Sequence, residues 1–340
     1  MADVMVETFF ASAPFRIGLA GGFTDLFEYY SRFGGSVISA SINCSVNIAV
    51  HVRNDKKIII HNKKSNVPLN ANIDNTKTLG IFYESIIKNL DIKQGFELDI
   101  DIPMTYGSGL GSSSANIVAI IGALQNLVGF KLNKNEIAEL AYKIESEDMQ
   151  VHLGKQDAYA AVYGGFNLIN FSDTIKVEPL SLSKTKLKEL EDSMLFVEAG
   201  FRSKNENSIN DIKNNIRKND QNTINCLNNM RDIAREMRQI LNDSSIQQIG
   251  HLLMEEWKNK RLLSSMMSNE KIERIFEIAN MNKVFGYKLL GGGNGGHVLI
   301  MADRDNLYNI NQQLIKSGYI TKRFAFANKG LEVSKIPQTE

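Results

Sequence analysis

Short segments of alternating apolar and polar residues mark strands in the first third of the chain. Residues 96–102, FELDIDI, alternate apolar with acidic side chains, and residues 46–52, VNIAVHV, show the same period of two. This period is typical of a half-buried β-strand. The segment KKIIIH follows after the turn-forming pair Asn54 and Asp55. The chain is therefore predicted to open with a β-sheet.

Helical patterns follow the strands. Residues 115–130 are apolar on nearly every side and end near Gly129, which predicts a buried helix. Residues 133–148 begin with Asn133 as an N-cap, and their apolar side chains recur at helical spacing, which predicts an amphipathic helix. Its apolar face carries Ile137, Leu140, Ala141 and Ile144.

The character of the chain changes downstream of Pro179. Polar segments rich in Asn and Lys predict long helices at residues 208–241, 246–267 and 270–283. A glycine-rich stretch then precedes a strand, HVLIMA, a last helix, NLYNINQQLIKSG, and a closing strand near KRFAF. A chain of 340 residues exceeds the usual size of a single hydrophobic core. Two domains are therefore predicted, at residues 1–180 and 181–340.

The charge balance excludes a protein that binds nucleic acid or a membrane surface by charge alone. Basic and acidic residues number 39 and 38, which leaves a net charge of +1. No segment approaches the length of a membrane span, and Asp3 and Glu7 stand where a signal peptide would be basic. Cys44 and Cys226 lie far apart in no metal-binding spacing, so neither a disulfide framework nor a zinc site is expected. The predicted compartment is the cytoplasm.

Residues 103–116, PMTYGSGLGSSSAN, place three glycines and three consecutive serines between a predicted strand and a predicted helix. Free amide groups and the positive end of a helix dipole meet at such a junction, which suits an anion such as phosphate. Glycines let the backbone approach phosphate oxygens, and serine hydroxyls can donate hydrogen bonds or bind magnesium. This segment alone leaves an alternative open, a serine-capped helix that starts after a tight turn.

Three other motifs compete with the phosphate interpretation. A Walker P-loop needs a Lys after its glycines, and none follows here. The segment GSSSA comes within one residue of a hydrolase nucleophile elbow with Ser113 as nucleophile, but Ala115 replaces the second glycine. Residues 291–296 satisfy GxGxxG, yet they are predicted to follow a helical segment and to open a strand, which is the wrong order for a dinucleotide site. A close approach of these glycines to the phosphate site, or strand–helix packing, is expected instead.

Three segments together resemble the signature motifs of the GHMP kinases, the superfamily of galactokinase, homoserine kinase and mevalonate kinase. They are APFRIGLAGGFTDL at residues 13–26, the segment at residues 103–116, and YKLLGGGNGGHVLI at residues 287–300. The resemblance covers essentially the whole chain and implies a two-domain α+β fold. Its N-terminal domain would contain a left-handed βαβ unit, an exception to the usual handedness. A ferredoxin-like C-terminal domain would follow, with the active site between the two.

The resemblance also implies roles for individual residues, with ATP and Mg²⁺ as cofactors. Asp157 matches the catalytic aspartate, and Arg16 is expected either to pair with it or to reach phosphate. Lys155 would lower the pKa of that carboxylate or contact phosphate, and Ser113 and Glu145 match the magnesium ligands. The implied ATP-binding residues are Gly107, Ser108, Gly109, Leu110, Gly111, Ser112, Ser113 and Ser114. The implied substrate-binding residues are Gly22, Thr24, Asp25, Arg202, Gly292 and Gly293.

Within the superfamily, GGFTDL and the segments at residues 144–167 and 261–296 are most similar to the heptose phosphate kinases. The expected activity is ATP-dependent phosphorylation of a sugar or sugar phosphate hydroxyl, first of all D-glycero-D-manno-heptose 7-phosphate, in nucleotide-sugar synthesis for surface glycans. The alternatives are a kinase for L-fucose or another hexose, and an inactive relative that senses sugar and ATP. A homodimer is a further open expectation. Phe23, Asn294 and His297 depart from the family pattern, and the Phe23 ring is expected beside the sugar pocket.

Overall fold

The computed structural model describes residues 7–65, 67–103, 107–200 and 208–336, and within these it contains two β-sheets. The first has eight strands: β1 (Thr8–Ala20), β2 (Gly35–Val52), β3 (Lys57–Asn62), β4 (Leu69–Asn72), β5 (Phe96–Asp101), β6 (Phe166–Phe171), β7 (Lys176–Pro179) and β12 (Glu332–Ile336). The second has four: β8 (Met194–Glu198), β9 (Val284–Leu289), β10 (His297–Ala302) and β11 (Thr321–Lys322). The predicted opening sheet is confirmed.

Helices cover much of the remaining described chain. They are α1 (Phe27–Phe33), α2 (Ile81–Asn89), α3 (Ser112–Leu124), α4 (Lys134–Lys143), α5 (Gln156–Tyr163), α6 (Lys184–Ser193), α7 (Ser208–Arg217), α8 (Gln221–Ile240), α9 (Ile246–Leu262), α10 (Glu270–Asn280) and α11 (Arg304–Lys316). The single helix predicted at residues 208–241 is wrong, because α7 and α8 are separate. Asn219 adopts a positive φ of 58°, and the Asp220 side chain then caps α8 by accepting from the Thr223 amide at 2.7 Å.

The first sheet has the strand order β12-β1-β2-β5-β3-β4, and β6 pairs with β2 and β7. Its long central pair is antiparallel, with Thr8 opposite His51 at one end and Ala20 opposite Ile38 at the other. One pair, β3 with β5, is parallel, and the chain between them passes through β4 and α2. This parallel pair fits the expected βαβ unit. The left-handed sense of its crossover stays a prediction.

The second sheet has the order β11-β8-β10-β9, and all its pairs are antiparallel. Counted along the chain, its strands stand in the order 4-1-3-2, with helices after the first and third strands. That is a ferredoxin-like arrangement. The α+β fold implied by the resemblance is therefore confirmed, while the division at residue 180 stays a prediction.

The described residues form two hydrophobic cores, and the second sheet contributes to both, with Leu299 in the first core and Val298 in the second. Helix α3 is buried along nearly its whole length in the first core, as its apolar sequence predicted. Phe23, Leu26 and Tyr29, which follow β1 in the chain, pack into the second core. In the other direction, α8 packs on β2, and the last strand, β12, pairs with β1. The segment at residues 13–26 therefore contributes side chains to both cores.

The start of α4 confirms the predicted cap. The Asn133 side chain accepts from the Glu136 amide at 3.1 Å, and the Glu136 carboxylate accepts from the Asn133 amide at 2.7 Å. This reciprocal pair is a capping box. Among the described helices, none combines the length and the apolarity needed to cross a membrane. The cytoplasmic location and the homodimer stay predictions.

We expect Asn133→Ala to lower the free energy of unfolding by about 1 kcal/mol, because the first turn of α4 loses its cap. Urea denaturation at constant slope measures the change. Asn225→Ala is the matched control, since Asn225 lies exposed within α8, and it should change stability by less than about 0.5 kcal/mol. Equal stability of the two variants would contradict the capping role.

Candidate active site

The glycine-serine loop, residues 107–114, connects β5 to α3 and has the geometry that its composition predicted. Gly107, Gly109 and Gly111 adopt φ of 82°, 76° and 73°, in the left-handed region that favours glycine. Gly111 is the N-cap of α3 and the serines form the first turn, without any side-chain capping bond. The positive end of a buried helix and its first amides are therefore directed at the loop.

The glycine-rich segment after β9 lies against this loop. A Cβ atom on Gly109 would stand 2.6 Å from the Leu290 carbonyl oxygen, and one on Gly291 would stand 2.6 Å from the Gly109 Cα atom. Glycine is thus required on both sides of the contact. The expected close approach is confirmed, but the helical segment expected before these glycines is wrong. They join two antiparallel strands, β9 and β10, so no helix opens here and a dinucleotide fold is excluded.

Glu145 is held by two of the loop serines. Its Oε1 accepts from Ser113 Oγ and its Oε2 from Ser114 Oγ, both at 2.5 Å. Glu145 lies in a π-helical turn, Ile144–Asp148, that continues α4, and such turns are common at functional sites. The carboxylate is 2% exposed. Burial raises its pKa to about 7, the Asp157 charge adds to this, and the two serine hydrogen bonds oppose it.

These residues fit a magnesium ion. Mg²⁺ prefers hard oxygen ligands, and the Ser113 hydroxyl and the Glu145 carboxylate already converge. A buried carboxylate whose pKa is raised by burial and by a neighbouring carboxylate gains most from a bound cation. The predicted pairing of Ser113 with Glu145 is therefore found in the structure, while the ligand role stays a prediction. Sequence reasoning did not foresee that Ser114 would bind the same carboxylate.

Asp157 and Arg16 form an ion pair next to the loop, one of the two alternatives predicted for Arg16. Asp157 Oδ1 accepts from Arg16 Nε at 2.8 Å and lies 2.6 Å from Nη2. The guanidinium also donates from Nη1 to the Gly109 carbonyl at 2.6 Å. The arginine side chain is 6% exposed and that of Asp157 is 24% exposed. Arg16 thus ties an accessible carboxylate to the glycine-serine loop.

Lys155 does not act on Asp157 as predicted. Its ammonium group donates to both carboxylate oxygens of Glu139, at 2.8 and 2.6 Å, and lies 5.0 Å from the centre of the Tyr142 ring. Lys155 is the N-cap of α5, and its side chain turns towards α4 rather than towards the glycine-serine loop. A cation already paired on α4 joins the two helices, and the alternative phosphate contact of Lys155 stays a prediction.

Asp25 and Thr24 are more enclosed than a sugar-binding role predicted. The Asp25 carboxylate is 1% exposed and accepts from the Gln156 amide at 2.8 Å and from the Gln156 side chain at 3.0 Å. Burial raises its pKa to about 6, with a contribution from the Asp157 charge, against the lowering effect of the Gln156 amide. Thr24 Oγ1 donates to the carbonyls of Gly21 and Ser36. The sugar contacts of both residues stay predictions.

The Phe23 ring is buried in the second core, and its expected position beside the sugar pocket stays a prediction. Its backbone φ of 65° lies in the left-handed region that favours glycine. The residue is 6% exposed, and its ring packs in the second core. The Lys260 ammonium group lies 5.5 Å from the ring centre. Phe23 therefore joins the segment at residues 13–26 to α9.

A buried charge cluster beneath the first motif escaped sequence analysis. Glu256 on α9 is 0% exposed and accepts from the Gly22 amide at 3.1 Å. Lys288 on β9 lies 3.5 Å from Glu256 and donates to the Leu19 carbonyl at 2.9 Å. Lys260 donates to the carbonyls of Leu289 and Gly291. No local pattern marks this cluster, because polar residues on α9 and β9 meet only in the folded chain.

The remaining predicted residues are Arg202 and the residues of the glycine-rich segment before β10. Arg202 lies outside the described residues. The Gly292 carbonyl accepts from Ser208 Oγ at 2.7 Å, and a Cβ atom on Gly293 would stand 3.0 Å from Met267 Sδ. Asn294, a departure from the family pattern, has φ of 51° and accepts from Asn269 Nδ2 at 2.8 Å. The substrate contacts predicted for Arg202, Gly292 and Gly293 stay predictions.

Comparisons with known proteins find similarity to GHMP kinases and to sugar kinases. The profile of the GHMP kinases N terminal domain matches residues 77–165. A D-glycero-alpha-D-manno-heptose 7-phosphate kinase of Campylobacter jejuni is 29% identical over 97% of this chain and 100% of its own. The structure of a putative sugar kinase from C. jejuni superposes with a TM-score of 0.75 at 28% identity, covering 98% of this chain and 100% of the other.

A further solved structure supports the fold. It is that of a D-glycero-D-manno-heptose 1-phosphate kinase from Bacteroides thetaiotaomicron, with a TM-score of 0.78 and 24% identity. The superposition covers 97% of this chain and 100% of that one. At this identity the likeness speaks for the architecture of the two sheets.

The raised pKa of Glu145 predicts a pH-dependent stability. Because the pKa rises from 4.5 to about 7 on folding, the folded protein holds this proton more tightly than the unfolded chain. The contribution of Glu145 is thus fully present below pH 4.5 and falls as the pH rises to about 7. Without magnesium, Glu145→Gln should gain on the order of 3 kcal/mol of unfolding free energy relative to wild type across this window.

Urea denaturation of both proteins at several pH values measures the difference. The Asp25 titration is present in both proteins, so it cancels in the comparison. Glu147→Gln, a change at an exposed carboxylate in the same π-helical turn, is the control and should follow the wild type at every pH. A constant difference between Glu145→Gln and wild type would show that Glu145 does not titrate in this range.

Proposed function

We propose that this chain is a GHMP kinase, an ATP- and magnesium-dependent enzyme whose acceptor is a D-glycero-D-manno-heptose phosphate. The observation that carries the proposal is the convergence at the N-terminus of α3. Ser113 paired with Glu145, and the Asp157 carboxylate bonded by Arg16, lie beside a loop whose glycines adopt positive φ. The heptose phosphate acceptor is supported by the name of the Campylobacter jejuni relative.

In this proposal each residue of the site has a defined role. The glycine-serine loop and the first turn of α3 would bind the phosphate groups through amides and the helix dipole. Ser113 and Glu145 would hold Mg²⁺, which neutralises charge on the transferred phosphoryl group when bound. Asp157 would accept the proton of the acceptor hydroxyl, and Arg16 holds that carboxylate in a fixed orientation through two of its nitrogens.

The acceptor is tested by an assay of ADP release with Mg-ATP and a panel of acceptors. The panel contains D-glycero-D-manno-heptose 7-phosphate, its 1-phosphate isomer, the free heptose, L-fucose and D-galactose, and mass spectrometry identifies the phosphorylated product. We expect turnover with a heptose phosphate. Activity on free hexoses alone would reject this acceptor, and tight binding of ATP and sugar without ADP release would identify a sensor instead of an enzyme.

Asp157→Asn should lower kcat by roughly 10²-fold or more while the Kd for ATP stays nearly unchanged, because the amide cannot accept the proton. Steady-state kinetics and calorimetry with ATP measure the two quantities. Asp173→Asn, a change at an exposed aspartate before β7, is the matched control and should keep wild-type turnover. Turnover of Asp157→Asn at the wild-type level would remove Asp157 from the mechanism.

A further inference from the structure

Three consecutive carbonyl groups of the glycine-serine loop are bonded to the body of the protein. The Ser108 carbonyl accepts from His297 Nδ1 at 2.8 Å, the Gly109 carbonyl from Arg16 Nη1 at 2.6 Å, and the Leu110 carbonyl from the Arg16 amide at 2.9 Å. In a planar trans peptide unit, the carbonyl and the next amide N–H point in opposite directions. A hydrogen bond to a carbonyl therefore also sets the direction of the amide that follows it.

The first of these bonds comes from the other sheet. His297 is the first residue of β10, and its ring holds the Ser108 carbonyl towards β10. The Gly109 amide belongs to the same peptide unit and therefore points away from β10. The same peptide unit is covered on its face by Gly296, where a Cβ atom would stand 2.8 Å from the Ser108 oxygen and 3.2 Å from the Gly109 nitrogen. Gly296 thus lies close against this peptide unit, while the ring of its neighbour His297 bonds the carbonyl.

The chemistry of His297 shows what its ring supplies. A carbonyl oxygen only accepts, so Nδ1 carries the hydrogen, and burial lowers the pKa of the ring, which keeps it neutral. The remaining nitrogen, Nε2, is buried and has no hydrogen-bond partner among the described residues. The ring is 5% exposed and packs edge-on against Phe196. A phenyl ring would fill this space without burying an unpaired acceptor, so the Nδ1 donor is what distinguishes histidine here.

We propose that His297 is a positioning residue for nucleotide binding, which aims the Gly109 amide at the phosphates of ATP through the Ser108 carbonyl. The inference rests on the proposed function, since it needs a nucleotide in the glycine-serine loop. It adds a buried side chain from the second sheet to the nucleotide site. The nucleotide site is accordingly complete only when β10 is docked against the loop.

The test compares two substitutions by calorimetry with ADP and Mg²⁺. His297→Phe keeps a ring but loses the donor, and leaves the Ser108 carbonyl free to rotate. His297→Asn places an amide nitrogen as many bonds from the backbone as Nδ1 and keeps the donor. We expect a Kd for ADP raised about tenfold in His297→Phe and within about threefold of wild type in His297→Asn, as for the loss or retention of one buried hydrogen bond.

Kinetics add a readout that a purely structural role would not move. The KM for ATP should rise in His297→Phe while the KM for the sugar phosphate stays at the wild-type value. A wild-type Kd for ADP in His297→Phe, or an equally weak Kd in His297→Asn, would overturn the inference, even if the melting temperature fell. If His297→Phe does not fold, His297→Gln replaces it, because its amide lies one bond too far and should also weaken ADP binding.

The design separates this inference from the proposed function. Turnover and ADP binding by the wild type, together with unchanged values in His297→Phe, would reject the positioning role alone. A wild-type protein that neither binds ADP nor releases it from ATP would reject both.

Discussion

Glu145 brings a negative charge into the protein interior at the point where α3 begins, and its neighbours are arranged around that charge. Burial opposes ionisation, and the nearby Asp157 carboxylate opposes it further. Two serine hydroxyls and the positive end of α3 act in the opposite direction. Because these terms nearly balance at neutral pH, a divalent cation can decide the protonation state of the site. Nucleotide with its magnesium would thus complete an electrostatic arrangement that the protein alone leaves unfinished.

The close contact between the glycine-serine loop and the segment after β9 sets the second constraint. Backbone atoms of Gly109 and Gly291 approach so closely that a side chain on either residue would collide with the backbone of the opposing segment. Arg16 of the first sheet and His297 of the second sheet then donate hydrogen bonds to the loop. The loop therefore derives its shape from both sheets, and the buried Glu256–Lys288 pair under the first motif joins the same two parts of the molecule.

The sequence predicted those features that depend on neighbouring residues. The Asn133 cap, the buried helix α3 and the glycine turn before it are local patterns, and each is found in the structure. Features that depend on distant packing were missed. The Phe23 ring enters the second core and Lys155 pairs with Glu139, because the partners that attract them lie on elements far away in sequence. Likewise β9 was not predicted as a strand, because its last four residues are all buried and lack the alternation that marks a half-buried strand.

The pairing of β12 with β1 has a consequence for biosynthesis. The opening strand leaves the ribosome early, yet the neighbour that covers its outer edge is made more than three hundred residues later, since Thr8 pairs with Ile336. Until then the nascent chain carries an uncovered strand edge, which is a template for unwanted association. Contacts so distant along the chain also slow folding. Fragments that stop before β12 would keep this edge open permanently, so the first sheet is finished only by a polypeptide that extends through both halves.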